Sequence, residues 1–321
     1  MRSRVWRDGA LVATDFPLTE LSEQLADEQT LTWVDLLSPD HSDLELLAEE
    51  LGFDPHLVED AVAPAERPKV SRRATHTFVT VYSTTLPTTP ADDLVVARVS
   101  AFILPHGLVT VRLSEQFDID AVLERWDANP DLIRLGVPAL LHGLLDVVVD
   151  GYFVAIAAMD DRLEQIEDRL FEGGDPTLVQ RETYSMRKDL VQLRRVVLPT
   201  REVVDSLFRQ GRVHAPELVG FYEDLYDHVL RAAEWTESLR DLVTSLFEAS
   251  LSLQDARLNT VMKKLAGWAA IIAVPTAITG WFGQNIPYPG FGTPLGLVLA
   301  TILVVVCPVV LYLWFKKVDW V

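Results

Sequence analysis

The sequence predicts an α+β protein whose chain ends in a membrane. An N-terminal mixed α/β domain is followed by a helical middle region. A very long stalk helix then continues into the first of two C-terminal transmembrane helices. Three observations carry this expectation. Residues 265–282 and 294–315 are the only two long apolar runs, 18 and 22 residues without a charge, and each is about the length that crosses a bilayer as a helix. Residues 221–266 are 46 consecutive positions with neither Gly nor Pro, so nothing breaks a helix there. Before them, short runs such as THTFVTVYSTT, DLVVARVSAFIL and GLVTVRLS are rich in β-branched residues and bounded by turn residues.

In chain order, residues 1–216 form the expected cytosolic domain, with an α/β part at about 1–114 and a helical part at about 118–216. The acidic segment SDLELLAEELG reads as a helix among the strands, and YFVAIAAMDDRLEQIEDRLFEGG as a helix closed by Gly173 and Gly174. Residues 217–264 form the stalk, 265–283 the first span, 284–293 an external loop, 294–315 the second span, and 316–321 a cytosolic tail. Lys263 and Lys264 precede the first span and Lys316 and Lys317 follow the second. The positive-inside rule therefore puts both ends in the cytoplasm of a cell membrane and the loop outside. Trp281, Phe282, Tyr288 and Phe291 suit the outer aromatic belt, and Trp314 and Trp320 the inner one.

Charge is distributed as unevenly as hydropathy. The chain has 321 residues and a formal charge of −19, yet past residue 262 only four lysines and Asp319 are ionised. Residues 1–262 then hold 24 basic and 46 acidic side chains, a net of −22. Such a surface excludes a nucleic-acid partner and attracts cations. The single Cys307 excludes a disulfide framework and a cysteine zinc site. The opening MRSRVWRDGALVATDF lacks the apolar core of a signal peptide, which keeps the bulk of the chain in a reducing cytosol. No GK dipeptide, HExxH or GxSxG is present, and the seven histidines are dispersed. Neither a nucleotide site nor an enzyme is indicated.

The first span has two unlike faces. At 100° per residue, Asn259, Met262, Ala266, Ala269, Ala273, Thr276 and Gly280 fall within about 100° of one another. Trp268, Ile271, Pro275, Ile278 and Phe282 lie nearly opposite. A narrow, mildly polar face serves either close helix packing or a pore wall. Two spans cannot enclose a water-filled path, so a pore requires several copies of the chain. A helix as long as the stalk also needs neighbours along its length.

The turn between the spans, GWFGQNIPYPG, resembles the Gly-Met-Asn signature of CorA-type divalent-cation channels, with Gln284 in place of Met. FYEDLYDHVLRAAEWTESLRDL, LSLQDARLNTVMKKLA and VPTAITG look like that family's stalk and first membrane helix. WVDLLSP, GFDPHLVEDA, RPKV and LRRVVLPTREVV resemble its cytosolic domain. The resemblance implies a homopentamer whose first membrane helices line a pore for Mg²⁺ and also Co²⁺ or Ni²⁺. By position the selectivity filter is Gly283, Gln284 and Asn285, with the Asn285 amides holding a hydrated ion through its water shell. Mg²⁺ dehydrates reluctantly and suits such a ring. The family's pore wall carries over to Asn259, Met262, Leu265, Thr276 and Gly280, four of which lie on the narrow face, as does Ala273.

The resemblance also implies a regulatory divalent ion between subunits, held in part by the carboxylate at Asp224. Glu223 and Asp227 beside it are hard oxygen ligands of the same kind, and the resemblance does not identify the partner carboxylate, for which Asp92 and Asp93 are guesses alone. Two departures stand out. The family loop runs on into an acidic Met-Pro-Glu-Leu stretch, whereas this chain reads IPYPGFGTPLG with no carboxylate, and Gln284 adds a second amide. A zinc-transporting branch shares the architecture, so the ion ranking stays open, and a non-conducting scaffold or sensor is the rival of another class.

Overall fold

The computed structural model describes residues 1–54, 58–63, 67–85, 94–209, 216–284 and 286–321. They fall into two compact units, residues 1–246 and 247–321.

The first unit is built on a seven-stranded sheet. Strands β1 (Arg2–Arg7) and β2 (Ala10–Thr14) form a hairpin. Asp8 and Gly9 both have positive φ at its turn, as a two-residue connection that follows the sheet's twist requires. β3 (Thr30–Leu37), β4 (Lys69–Arg72), β5 (Thr77–Thr85), β6 (Val95–Ile103) and β7 (Gly107–Arg112) complete the order β2-β1-β3-β7-β6-β5-β4. Every pair is antiparallel except β3 with β7.

Alternation along the strands sends side chains to two helical layers. On one face Val34, Leu36, Phe78, Phe102, Val109 and Val111 pack with Leu21 of α1 (Leu21–Ala26) and with Leu44 and Leu47 of α2 (His41–Leu51). Asp40 and Asp43 form a capping box at the start of α2, and Gly52 ends it with φ 64°, a left-handed position suited to glycine.

On the other face the odd positions of β3 meet α3 (Ile119–Ala128), where Trp126 stands edge-on to Trp33 at 5.1 Å and to Trp6 at 5.8 Å. After the short α4 (Pro130–Ile133) come two long helices, α5 (Val137–Phe171) and α6 (Pro176–Arg209). Buried Tyr152 of α5 donates to the Tyr82 carbonyl at 2.7 Å and lies 3.0 Å from the Thr200 hydroxyl, joining sheet, α5 and α6.

Between the parallel strands lies a buried ion pair. Arg112 Nε sits 3.0 Å from both carboxylate oxygens of Asp35, and Thr110 donates to the same carboxylate at 2.7 Å. The two charged side chains are only 5% and 1% exposed. Such a pair is tolerable when further hydrogen bonds surround it, and here Arg112 also donates to the Phe117 carbonyl at 3.2 Å.

Helix α7 (Val219–Phe282) is one unbroken helix of 64 residues, about 96 Å of helical rise. The boundary between the two units falls inside it. α8 (Pro294–Lys317) closes the second unit, two residues longer than the uncharged run. Among the described residues three helices are long and apolar enough to cross a membrane: α5, α7 and α8. Burial separates them, because 61% of the apolar window of α5 is buried inside the protein against 6% for each of the other two. The apolar stretch of α5 is therefore core, while the other two leave their hydrophobic surface uncovered within one chain.

Candidate functional site

Within the second unit, α7 has an exposed and a partly covered side that follow its sequence pattern only in part, since Trp268, expected on the bulky face, and Ile272 are exposed as well. Asn259, Met262, Leu265, Ala266, Ala269, Ala273, Thr276 and Gly280 are exposed. Ala270, Ile271, Val274, Pro275, Ile278 and Phe282 are half-buried, and Gly267 is buried. That covered stripe takes the contacts from the rest of the unit. A side chain at Gly267 would strike the Trp320 carbonyl and Val321, and Tyr288 meets Phe282 edge-on at 5.3 Å. Trp268, at the margin, lies 6.2 Å from Tyr312 of α8. On the opposite face a Cβ added at Gly280 would meet nothing within 4 Å.

The narrow face is polar in a restrained way. Thr276 donates its hydroxyl to the Ile272 carbonyl at 3.0 Å, and Thr279, off that face, donates to the Pro275 carbonyl at 2.9 Å. Each hydroxyl satisfies its proton on the helix and keeps oxygen lone pairs free. Pro275 has no N–H, so the Ile271 carbonyl has no partner at that position of the ladder.

The outer turn begins where the helix unwinds. Gly283 N–H donates to Thr279 at 2.9 Å and Gln284 N–H to Trp281 at 3.3 Å. Gln284 is exposed, and Asn285 lies outside the described residues. Tyr288 donates its hydroxyl to the Phe282 carbonyl at 3.3 Å. Thr293 caps α8 by accepting from Gly296 N–H at 3.2 Å. From Leu265 to Phe315 there is no charged side chain, so any ion here meets only dipoles.

Asp224 belongs to the first unit. Its side chain is 69% exposed, and its Oδ1 lies 3.8 Å from His228 Nε2. It opens on a groove of about 380 Å³ that also receives Arg125, His142, Asp146 and Asp150. Arg125 pairs with Asp146 and, at 2.7 Å, with Asp150. His142 on α5 lies 3.2 Å from the Phe221 carbonyl on α7. Burial holds its imidazole below the ordinary value, against the pull of Asp146. The sequence reading missed Asp146 and Asp150. Their spacing of four on one helix face was the available signal, and Arg125 neutralises much of it. Among the described residues no group of three or more ligand side chains could hold a metal within one chain. A regulatory ion at Asp224 therefore needs ligands from a second copy or from outside the described residues. Asp92 and Asp93 lie outside them as well.

The family model described as "CorA-like Mg2+ transporter protein" matches residues 28–317. The chain belongs to the CorA family. A cobalt/magnesium transport protein CorA of Thermotoga maritima is 31% identical over 313 residues, 95% of this chain and 88% of that protein. A zinc transport protein ZntB of Yersinia pseudotuberculosis is 26% identical over 83% of this chain and 81% of its own length. The solved CorA magnesium transporter of Methanocaldococcus jannaschii superposes with a TM-score of 0.80 at 23% identity, covering 99% of this chain and 98% of that one. The CorA family consists of ion transporters rather than enzymes, and this chain shares its fold, long helix and apolar C-terminal helix included.

Proposed function

We propose that this CorA-family chain is a homopentameric channel carrying Mg²⁺, and also Co²⁺ or Ni²⁺, into the cytoplasm across the cell membrane. The observation that carries the reading is the uncovered face of α7, from Asn259 through Met262, Leu265, Ala273 and Thr276 to Gly280, leading into an uncharged amide turn. Five such faces around an axis enclose a path of small groups and hydroxyl oxygens, ending at Gly283, Gln284 and Asn285. Neutral oxygen dipoles hold a hydrated cation weakly enough to release it. Both termini are cytoplasmic in this arrangement, with residues 284–293 outside.

The driving force needs no nucleotide. A charge crossing 100 mV gains about 2.3 kcal/mol, so a divalent ion falling through ~150 mV gains roughly 7 kcal/mol. Asp224 supplies part of a regulatory Mg²⁺ site between neighbouring subunits, its exposure fitting a ligand shared across an interface.

Zinc transport is the second reading, favoured by the 26% identity to a zinc transport protein. Flux into liposomes loaded with an ion-sensitive dye, under an imposed potential and with Mg²⁺, Co²⁺ and Zn²⁺ in competition, separates the two. Mg²⁺ flux that excess Zn²⁺ leaves unchanged supports the first reading. Zn²⁺ flux without Mg²⁺ flux replaces it, and no flux of any cation removes both.

A further inference from the structure

The mouth of this chain has no carboxylate to gather cations, so its affinity must come from neutral dipoles. Dipoles bind a hydrated ion well only if they are already in place, because each group ordered on binding subtracts from the affinity. The loop after α7 has two clasps that supply such order.

The first clasp is Tyr288. Its hydroxyl donates to the carbonyl of Phe282, the last residue of α7, at 3.3 Å. Its ring stands edge-on between Phe282 and Phe291, each at 5.3 Å and within a few degrees of perpendicular. The second clasp joins the loop to α8. Thr293 donates its hydroxyl to the Gly290 carbonyl at 2.8 Å while accepting from Gly296 N–H. Gly290, with φ 92°, and Gly296 approach so closely that a Cβ on Gly296 would overlap the Gly290 carbonyl. Only Pro289, whose φ is fixed by its ring, separates the two clasps. The chain returning from the turn therefore has no slack on either side.

We propose that Tyr288 is a positioning residue for ion binding at the mouth: by tying the returning chain to Phe282 at the end of α7 it fixes the two ends of the turn, and this preorganisation stands in for the absent acidic charge. The inference rests on the reading of 283–285 as the mouth. Tyr288 touches no ion itself, and its hydroxyl proton is committed to the Phe282 carbonyl.

The test uses the full-length protein in liposomes, with Mg²⁺ flux measured against external Mg²⁺ so that apparent KM and maximal rate separate. Tyr288→Phe keeps the ring contacts and removes only the hydroxyl. The expected result is a KM raised roughly two- to tenfold, the range of one lost hydrogen bond, with maximal rate and melting temperature held. Tyr288→Leu, which also removes the ring, raises KM further. An unchanged KM in Tyr288→Phe overturns the proposal. So does a fall in melting temperature and rate at constant KM, which marks a merely structural side chain. Asn285→Ala run alongside separates the two readings. If it silences flux while Tyr288→Phe behaves as wild type, only the role of Tyr288 fails. If it conducts normally, the mouth is elsewhere and both fail.

Discussion

At the scale of single residues, two side chains test opposite halves of the molecule. Asn285 matches the amide of the family signature in a turn with no ionised group. If the proposed amide ring holds the ion, Asn285→Ala removes the ligand, so divalent flux should disappear while assembly and melting temperature stay unchanged. Wild-type flux from a correctly assembled variant would eliminate the amide ring. Asp35 is the reverse case, a carboxylate 1% exposed that holds Arg112 and Thr110 in the sheet of the first unit. Asp35→Ala leaves a buried guanidinium without its counter-charge, and breaking such a pair costs about 3–5 kcal/mol. Thermal or denaturant unfolding should register that loss.

At the scale of elements, what the sequence made legible was whatever is written locally. The Gly- and Pro-free run and the first uncharged run merge into α7, and its small residues lie on the uncovered side together with the bulky Leu265, Trp268 and Ile272, which the spacing alone did not separate. The long apolar α5 was not read as a possible span. Its hydropathy matches one, and only the burial of its window marks it as core. The parallel contact of β3 with β7 was equally hidden, because turn signals announce neighbouring strands and these are 69 residues apart at their ends. The groove around Asp224 gathers residues from α3, α5 and α7, which no local pattern connects. The same division of α7 into faces predicts how substitutions behave. Gly280→Leu puts five bulky side chains on the proposed axis and should block conduction. Ile278→Leu, on the half-buried side, conserves volume and should change conduction little. Equal block by both, measured as liposome flux, would make the narrow face a packing surface.

At the scale of the whole molecule, the charge asymmetry becomes mechanical. Residues 1–262 carry a net of −22 in every copy, so copies packed side by side repel one another unless cations lie between them. Asp224 is placed to respond. It is exposed, its carboxylate is 3.8 Å from His228, and it stands on α7, the helix that also contributes the proposed pore wall. In the proposed pentamer, divalent cations gathered between neighbouring acidic surfaces would offset the repulsion and favour a closed assembly. A fall in internal Mg²⁺ would then restore the repulsion and open it, the behaviour that the following substitution tests. Asp224→Lys replaces the metal-dependent charge with a permanent positive one. Closure should then depend less on internal Mg²⁺, shifting the titration to lower concentrations or flattening it. Protease protection of the stalk, or current, measured against internal Mg²⁺ for wild type and variant gives the comparison. Superimposable curves would take Asp224 out of the gate and leave the acidic surface as a solvated face.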